Sequence, residues 1–83
     1  MNCKWFDLWF EDKTSIIETM YRNMNSDIEN GYNPNGYSIR FQLDTIRSYT
    51  EDFHNAIEVL KTMEEKQAER WCYYDMKKRG AIA

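Results

Sequence analysis

Most of the residues that interrupt helices lie in one short cluster of this sequence. The cluster reads Asn-Gly-Tyr-Asn-Pro-Asn-Gly over residues 30–36 and holds the single proline and two of the three glycines. Asparagine, glycine and proline mark turns because they adopt backbone angles that other residues avoid. So few turn signals elsewhere argue against an all-β sandwich or barrel. The chain therefore divides at this cluster into two segments that we expect to be helical.

The segment before the cluster carries the signals of a helix over residues 15–30. Ser15 and Glu18 have the spacing of a capping box, in which each side chain bonds the backbone N–H of the other residue. Gly31 follows at the position of a C′ glycine, which commonly ends a helix. The apolar residues that recur at helical spacing are Ile17, Met20, Tyr21, Met24 and Ile28.

An aromatic N-terminal segment, residues 1–14, precedes that helix. Trp5 and Trp9 are four residues apart, and so are Phe6 and Phe10, which would place each pair on one side of a helix. The spacing is compatible with a short helix, and a strand is an open alternative.

After the turn over residues 31–37, apolar residues follow the a/d seam of a heptad pattern. The steps alternate between four and three residues without a Gly or Pro, and Ser38 and Gly80 are suitable as N-cap and C′ residues. We therefore predict one long, coiled-coil-like helix over about 39–79, or 38–79 with its cap. The seam consists of Ile39, Leu43, Ile46, Thr50, Phe53, Ile57, Leu60, Glu64, Gln67, Trp71 and Tyr74.

Two alternatives for this segment stay open. Apolar and polar residues alternate over 37–43, which is also the period of a strand. In addition, Ser48-Tyr49-Thr50-Glu51 is suited to start a new helix. A break near residue 49 would allow three short helices to form a bundle within one chain.

The unequal lengths of the two expected helices predict self-association. A helix over 39–79 would be about 60 Å long, whereas residues 15–30 would reach only about 24 Å. In a helical hairpin, the short helix would leave half of the seam uncovered, which is unstable in water. We therefore expect one mainly α domain over 1–83 that forms a homo-oligomer through the long helix. The interface candidates are Trp5, Trp9, Phe53, Ile57, Leu60, Trp71 and Tyr74.

The charge balance argues against a nucleic-acid partner. The net charge is −3, from 11 Lys and Arg against 14 Asp and Glu. Phosphate contacts need clustered basic side chains. The one short basic run, Lys77-Lys78-Arg79, lies where it would complement the dipole of its own helix.

Residues with catalytic or metal-binding chemistry are few and scattered. His54 is the only histidine, and neither it nor Cys3 or Cys72 has a metal-ligand spacing. Nucleophile-elbow, phosphate-loop, dinucleotide and calcium-loop motifs are absent from the sequence. We expect no enzyme activity, no metal and no cofactor. Two free cysteines, with neither a signal-peptide pattern nor a long apolar stretch, lead us to expect a cytoplasmic protein without a membrane partner.

One constellation near the turn has the chemistry of a nucleotide site. Tyrosine rings stack on bases, asparagine binds base edges and arginine binds phosphate. In an oligomer these side chains would line a pocket between subunits. The alternative is a plain helix–helix connector, because clusters of Asn and Gly form turns. The candidates are Tyr32, Asn33, Asn35, Tyr37, Arg40 and Arg47.

In size and plan the chain resembles small accessory proteins of bacteriophages and mobile elements. The resemblance lies in the aromatic start, the helical hairpin and the long C-terminal helix ending near Trp71-Cys72-Tyr73-Tyr74-Asp75. Several such families counter bacterial immunity: anti-CRISPR proteins plug a defence protein, and oligomeric sponges sequester cyclic or ADP-ribose-type signalling nucleotides. The resemblance implies a non-catalytic inhibitor that binds a protein partner in the host cytoplasm. The alternatives are a nucleotide sponge and a small structural phage component.

Overall fold

The computed structural model describes residues 4–82, which fold into three helices. These are α1 (Lys4–Glu29), α2 (Tyr37–Leu60) and α3 (Glu65–Lys78). They contain 81% of the described residues, and no strand occurs between residues 4 and 82. The mainly α fold expected from the sequence is confirmed. Within the same range, no helix combines the length and the apolar composition needed to cross a membrane.

α1 is longer than the sequence predicts, because it begins at Lys4 and not at Ser15. Ser15 lies in the middle of this helix, so the capping box expected there does not form. The aromatic residues of the N-terminal segment form the first half of α1, and the burial of Trp9 holds them in place. The Thr14 hydroxyl donates to the Phe10 carbonyl at 2.8 Å, a bond typical of threonine inside a helix.

Both glycines predicted to end helices do so. Gly31 has φ 102° and Gly80 has φ 78°, in the left-handed region that favours glycine. After α1, the N–H groups of Gly31 and Tyr32 donate to the carbonyls of Ile28 and Asp27. The N–H groups of Gly80 and its successor bond the end of α3 in the same pattern. Both helices therefore end in a Schellman motif, with the glycine at C′.

α2 begins at Tyr37 and continues without interruption to Leu60. The strand expected as an alternative over 37–43 is wrong, and so is the break near residue 49. Gly36 occupies the N-cap position in an extended conformation without a side-chain cap, so Ser38 lies inside the helix and not at its start.

The single long helix expected over 39–79 is also wrong, because the chain turns at residues 61–64. The N–H groups of Thr62 and Met63 bond to carbonyls three residues earlier, and Glu64 is extended. Folding back places Cys72 and Met76 in the core. Burying such side chains contributes about 1.5–3 kcal/mol each, which exceeds the net loss of about 1 kcal/mol for each helical hydrogen bond given up at the turn.

α1 is the central element, since it packs against both other helices. Its first half packs with the second half of α2 and with α3, and we call this region the three-helix end (residues 4–16 and 48–82). Its second half packs with the first half of α2, and this region is the two-helix arm (residues 17–47). The core of the three-helix end is built on Trp9, Leu60, Cys72 and Met76, and that of the arm on Met24, Ile39 and Ile46.

The turn at 61–64 removes the reason for expecting association along the seam. Apart from Tyr74, the apolar seam residues that a straight helix would have left uncovered pack inside one chain, against α1. A second copy is not needed to cover them.

Gly31→Ala should lower the free energy of unfolding by about 1–2 kcal/mol, because a Cβ disfavours the left-handed conformation. No atom lies within 4 Å of the added Cβ, so the cost is conformational and not steric. Urea unfolding measures the effect as a lower midpoint with an unchanged slope. Gly31→Asn is the matched control, since asparagine tolerates this region better, and an equal loss in both variants would contradict the assignment.

Candidate functional site

The residues predicted to form an intermolecular interface are mostly part of the core. Trp9 is 0% exposed and Leu60 is 5% exposed, while four others are partly buried against the same cluster. Only Tyr74 is exposed, at 62%. Trp9 and Leu60 are enclosed in the core of one chain and are not available to a partner, whereas the interface role of the other five candidates stays a prediction. The four partly buried candidates are Trp5, Phe53, Ile57 and Trp71.

Trp9 lies where the three helices meet. Its ring centroid is 5.3 Å from that of Phe53 on α2 and 5.6 Å from that of Trp71 on α3. The contact with Trp71 is edge-to-face, an arrangement that aromatic quadrupoles favour. The indole Nε1 donates to Asp75 Oδ2 at 2.9 Å, so its one polar atom is satisfied.

Asp75 joins α3 to α1 through several charged partners. Its Oδ2 accepts from Arg79 Nε at 3.1 Å and lies 3.9 Å from Lys13 Nζ. Arg79 also pairs with Asp12 on α1 at 2.9 Å. Burial alone would lower the pKa of Arg79, but its hydrogen bonds to Asp12 and Asp75 outweigh burial and raise it. These groups neutralise one another and stabilise the packing of α3 against α1.

Cys72 and His54 are the remaining side chains of chemical interest. Cys72 is fully buried, and burial, followed by the nearby charges of Glu69 and Asp75, raises the pKa of its thiol to about 12. A neutral, enclosed thiol is a poor nucleophile. His54 is exposed and lies 4.0 Å from Glu58. Between residues 4 and 82, no three His, Cys, Asp or Glu side chains converge as metal ligands would. Cys3 lies outside the described residues.

The turn brings together half of the predicted ligand-binding residues. Asn35, Tyr37 and Arg40 line one open groove of about 480 Å³, together with Phe41 and Asp44. The other three candidates, Tyr32, Asn33 and Arg47, lie outside this groove.

Asn33 has a role in the turn itself. Its Oδ1 accepts from the N–H of Asn35 at 2.9 Å, and its carbonyl accepts from the N–H of Gly36 at 2.9 Å. These bonds are those of the helix–helix connector that the sequence offered as the alternative.

An exposed aromatic pair stands beside the turn on α2. Tyr37 is 85% exposed and Phe41 is 60% exposed. Their ring centroids are 6.2 Å apart, and the ring planes differ by 24°. The rings stack on each other on the exposed side of α2, because the buried Ile39 and Ile46 face the core. Contiguous exposed apolar surface of this kind commonly marks a contact site.

Phe41 is also where three grooves meet. Besides the groove at the turn, one of about 350 Å³ runs along α2 and another of about 180 Å³ lies between α2 and α1. We call the exposed side of α2 from Tyr37 to Asp52 the outer face of α2. Sequence reasoning missed Phe41 as a site residue. The sequence did contain a signal for it: Phe41 is four residues from Tyr37, and neither residue belongs to the heptad seam, which places two aromatic rings together on the exposed side of a helix.

Comparison of the chain with protein-family models, with curated proteins and with solved structures finds no match. Stacked aromatic rings lie beside charged side chains on a rigid helix.

Asp75→Ala should lower the free energy of unfolding by about 2–4 kcal/mol. The substitution leaves the Trp9 N–H without a partner and leaves the partly buried charges of Lys13 and Arg79 poorly compensated. Thermal or urea unfolding measures the loss. Asp52→Ala is the control, since Asp52 is exposed and should change stability by less than about 0.5 kcal/mol. Equal effects of the two substitutions would contradict the role given to Asp75.

The Cys72 thiol should be almost inert in the folded protein. At pH 8 its raised pKa leaves about a thousandfold less thiolate than an ordinary cysteine has, and burial blocks access as well. Ellman's reagent, added to a Cys3→Ser variant, should react slowly in buffer and rapidly in denaturant. Comparable rates in the two conditions would show that Cys72 is accessible.

The same pKa shift gives stability a dependence on high pH. The folded-state pKa of about 12 lies above the ordinary value of 9.0, so folding favours the neutral thiol. The contribution of Cys72 is therefore complete below about pH 9 and is lost as the pH rises towards 12. A Cys72→Ala variant should lack this part of the decline.

Proposed function

We propose that this chain is a non-catalytic binding protein that contacts a protein partner through the outer face of α2. The observation that carries the proposal is the stacked, exposed pair of Tyr37 and Phe41. A buried aromatic side chain removes about 150–250 Å² from water. Two such side chains stay in solvent here, so their burial does not contribute to the free energy of folding. A partner that covers them would gain this contribution on binding.

The composition of the face suits reversible protein binding. Aromatic residues and arginine are enriched at binding hot spots, and both occur here with Tyr37, Phe41 and Arg40. Polar residues such as Asp44 and Ser48 border the rings, as in the rim of an interface. The face is part of a continuous helix anchored by Ile39 and Ile46, so little conformational entropy would be lost on binding.

The resemblance to small phage accessory proteins supplies the setting of this proposal. On that basis the partner is a host or phage protein, with a bacterial defence protein as the first candidate and the host cytoplasm as the place of action. The mode of action is occlusion, because binding through a rigid face requires no chemistry from the chain.

A second candidate function, the sequestration of a signalling nucleotide, is supported by one observation. The groove at the turn combines a tyrosine ring, an asparagine amide and the Arg40 guanidinium, which has no ion-pair partner among the described residues. Asp44 lines the same groove, however, and its carboxylate opposes a bound phosphate. We therefore rank this function second. Calorimetry with ADP-ribose and a cyclic dinucleotide tests it, and Arg40→Ala should abolish any binding.

Photocrosslinking in cells tests the first proposal. A photoreactive amino acid at position 41 should give one defined adduct with a protein, and a second substitution, Tyr37→Ala, should reduce its yield by about tenfold because an aromatic anchor is lost. Tyr21→Ala is the control, since this tyrosine is also exposed but lies on α1. A photoreactive residue at Arg22, on the exposed side of α1, should give no such adduct. Adducts that do not differ between positions 41 and 22 would refute a specific contact at α2.

A further inference from the structure

We propose that the outer face of α2 binds a second copy of the same chain, with the two α2 helices antiparallel across a twofold axis. This inference rests on the proposed function, because it names a partner for the same face. It does not depend on the heptad seam, which is buried inside one chain.

Four charged residues along one side of this face alternate in sign. They are Arg40, Asp44, Arg47 and Glu51, all exposed. Read from residue 40 to residue 51, the signs are positive, negative, positive and negative. Read in the opposite direction, every sign is exchanged. Two copies that lie antiparallel therefore place a positive charge opposite each negative charge along the whole series.

The spacing of these charges is symmetric as well. The steps are four, three and four residues, so the same register matches every pair. In that register Arg40 faces Glu51 of the other copy, and Asp44 faces Arg47 of the other copy. The twofold axis then passes between residues 45 and 46. In an antiparallel helix pair with twofold symmetry, each flank of one helix meets the same flank of the other, which is the arrangement that this series requires.

The four side chains have no competing partners within the chain. Between residues 4 and 82, none of them forms an ion pair or a side-chain hydrogen bond. Arg40 and Asp44, and likewise Arg47 and Glu51, are four residues apart with the basic residue first. This order is the less favourable one for pairing within a helix. Asp44 and Arg47 are three residues apart with the acid first, but they form no ion pair in the structure. The charges are thus available to another molecule.

A groove on the same face fits the register that the charges define. Reversal about an axis between residues 45 and 46 brings Phe41 of one copy opposite residues 48–52 of the other. The groove of about 350 Å³ along α2 is lined there by Ser48, Tyr49 and Asp52, and at its near end by Phe41 itself. Each copy can therefore insert Phe41 beside Tyr49 of the other copy, which covers the ring that is exposed in the monomer.

The size of the face predicts a weak dimer. α2 is about 36 Å long, and a contact between two such helix faces falls below the roughly 1,200 Å² of a standard stable interface. We therefore expect monomer and dimer to exchange at micromolar concentrations, and association to weaken as salt screens the four charge pairs.

Charge reversal tests this arrangement by sedimentation of the full chain. The double variant Arg40→Glu/Arg47→Glu and the double variant Asp44→Arg/Glu51→Arg should each dimerise at least about tenfold more weakly than the unchanged protein, because like charges then face each other. Mixing the two variants should restore association as a heterodimer. The control Glu18→Arg/Arg22→Glu, on the exposed side of α1, should dimerise normally. Circular dichroism checks that all variants keep the helical fold.

Crosslinking with a short bismaleimide tests the antiparallel register. In a Cys3→Ser background, Thr45→Cys lies beside the axis and should crosslink between copies. Ser38→Cys would lie about 22 Å from its equivalent and should not. Crosslinking of both would indicate parallel helices and refute the register.

A chain that stays monomeric at several hundred micromolar refutes the dimer, while a heterologous adduct at position 41 would leave the proposed function intact. If neither the dimer nor the heterologous adduct at position 41 forms, both proposals are refuted.

Discussion

The burial of Trp9 is the contact on which the three-helix end depends. This side chain touches rings from α2 and α3 and donates its indole N–H to Asp75, so it ties both helices to α1. Asp75 in turn neutralises cationic groups at the edge of the core. The arrangement explains why the chain folds back after Leu60. Only a reversal can bring the aromatic and sulfur-containing residues of α3 to the same indole.

This packing divides the molecule into two regions with different properties. The three-helix end contains the aromatic side chains that pack in a core and the ion pairs between helices. The two-helix arm has a smaller core of Met24, Ile39 and Ile46, and only α1 and α2 contribute to it. The outer face of α2 begins in this arm, where no third helix covers it. A stable end that anchors α1 and α2 allows the arm to display Tyr37 and Phe41, which add little to the stability of the monomer.

The sequence predicted the parts of the fold that local chemistry determines. The turn over 30–36, the helical class and the C′ glycines Gly31 and Gly80 follow from backbone preferences that few residues control. The break at 61–64 could not be predicted in this way, because it contains no Gly or Pro and arises from tertiary packing against Trp9. Polar residues at two successive seam positions, Glu64 and Gln67, were the only local sign that the seam ended. Of the candidate site, Tyr37 and Arg40 were recognised by residue type, whereas Phe41 required knowledge of which side of α2 faces the core.

The two contacts proposed for the outer face of α2, with a second copy and with a protein partner, have a consequence for regulation. Because both contacts would use Phe41, the second copy and the partner would compete for it. The dissociation constant of the homodimer would then set the chain concentration below which the face is free. Electrostatic pairing along one flank would define the register of the dimer, while the rings would supply most of the apolar area. A partner that presents an apolar groove without the complementary charge series would displace the second copy through the rings alone. Phe41 would therefore be covered both in the homodimer and in the complex with a partner. Covering this ring would limit unspecific association of a chain whose net charge is only −3.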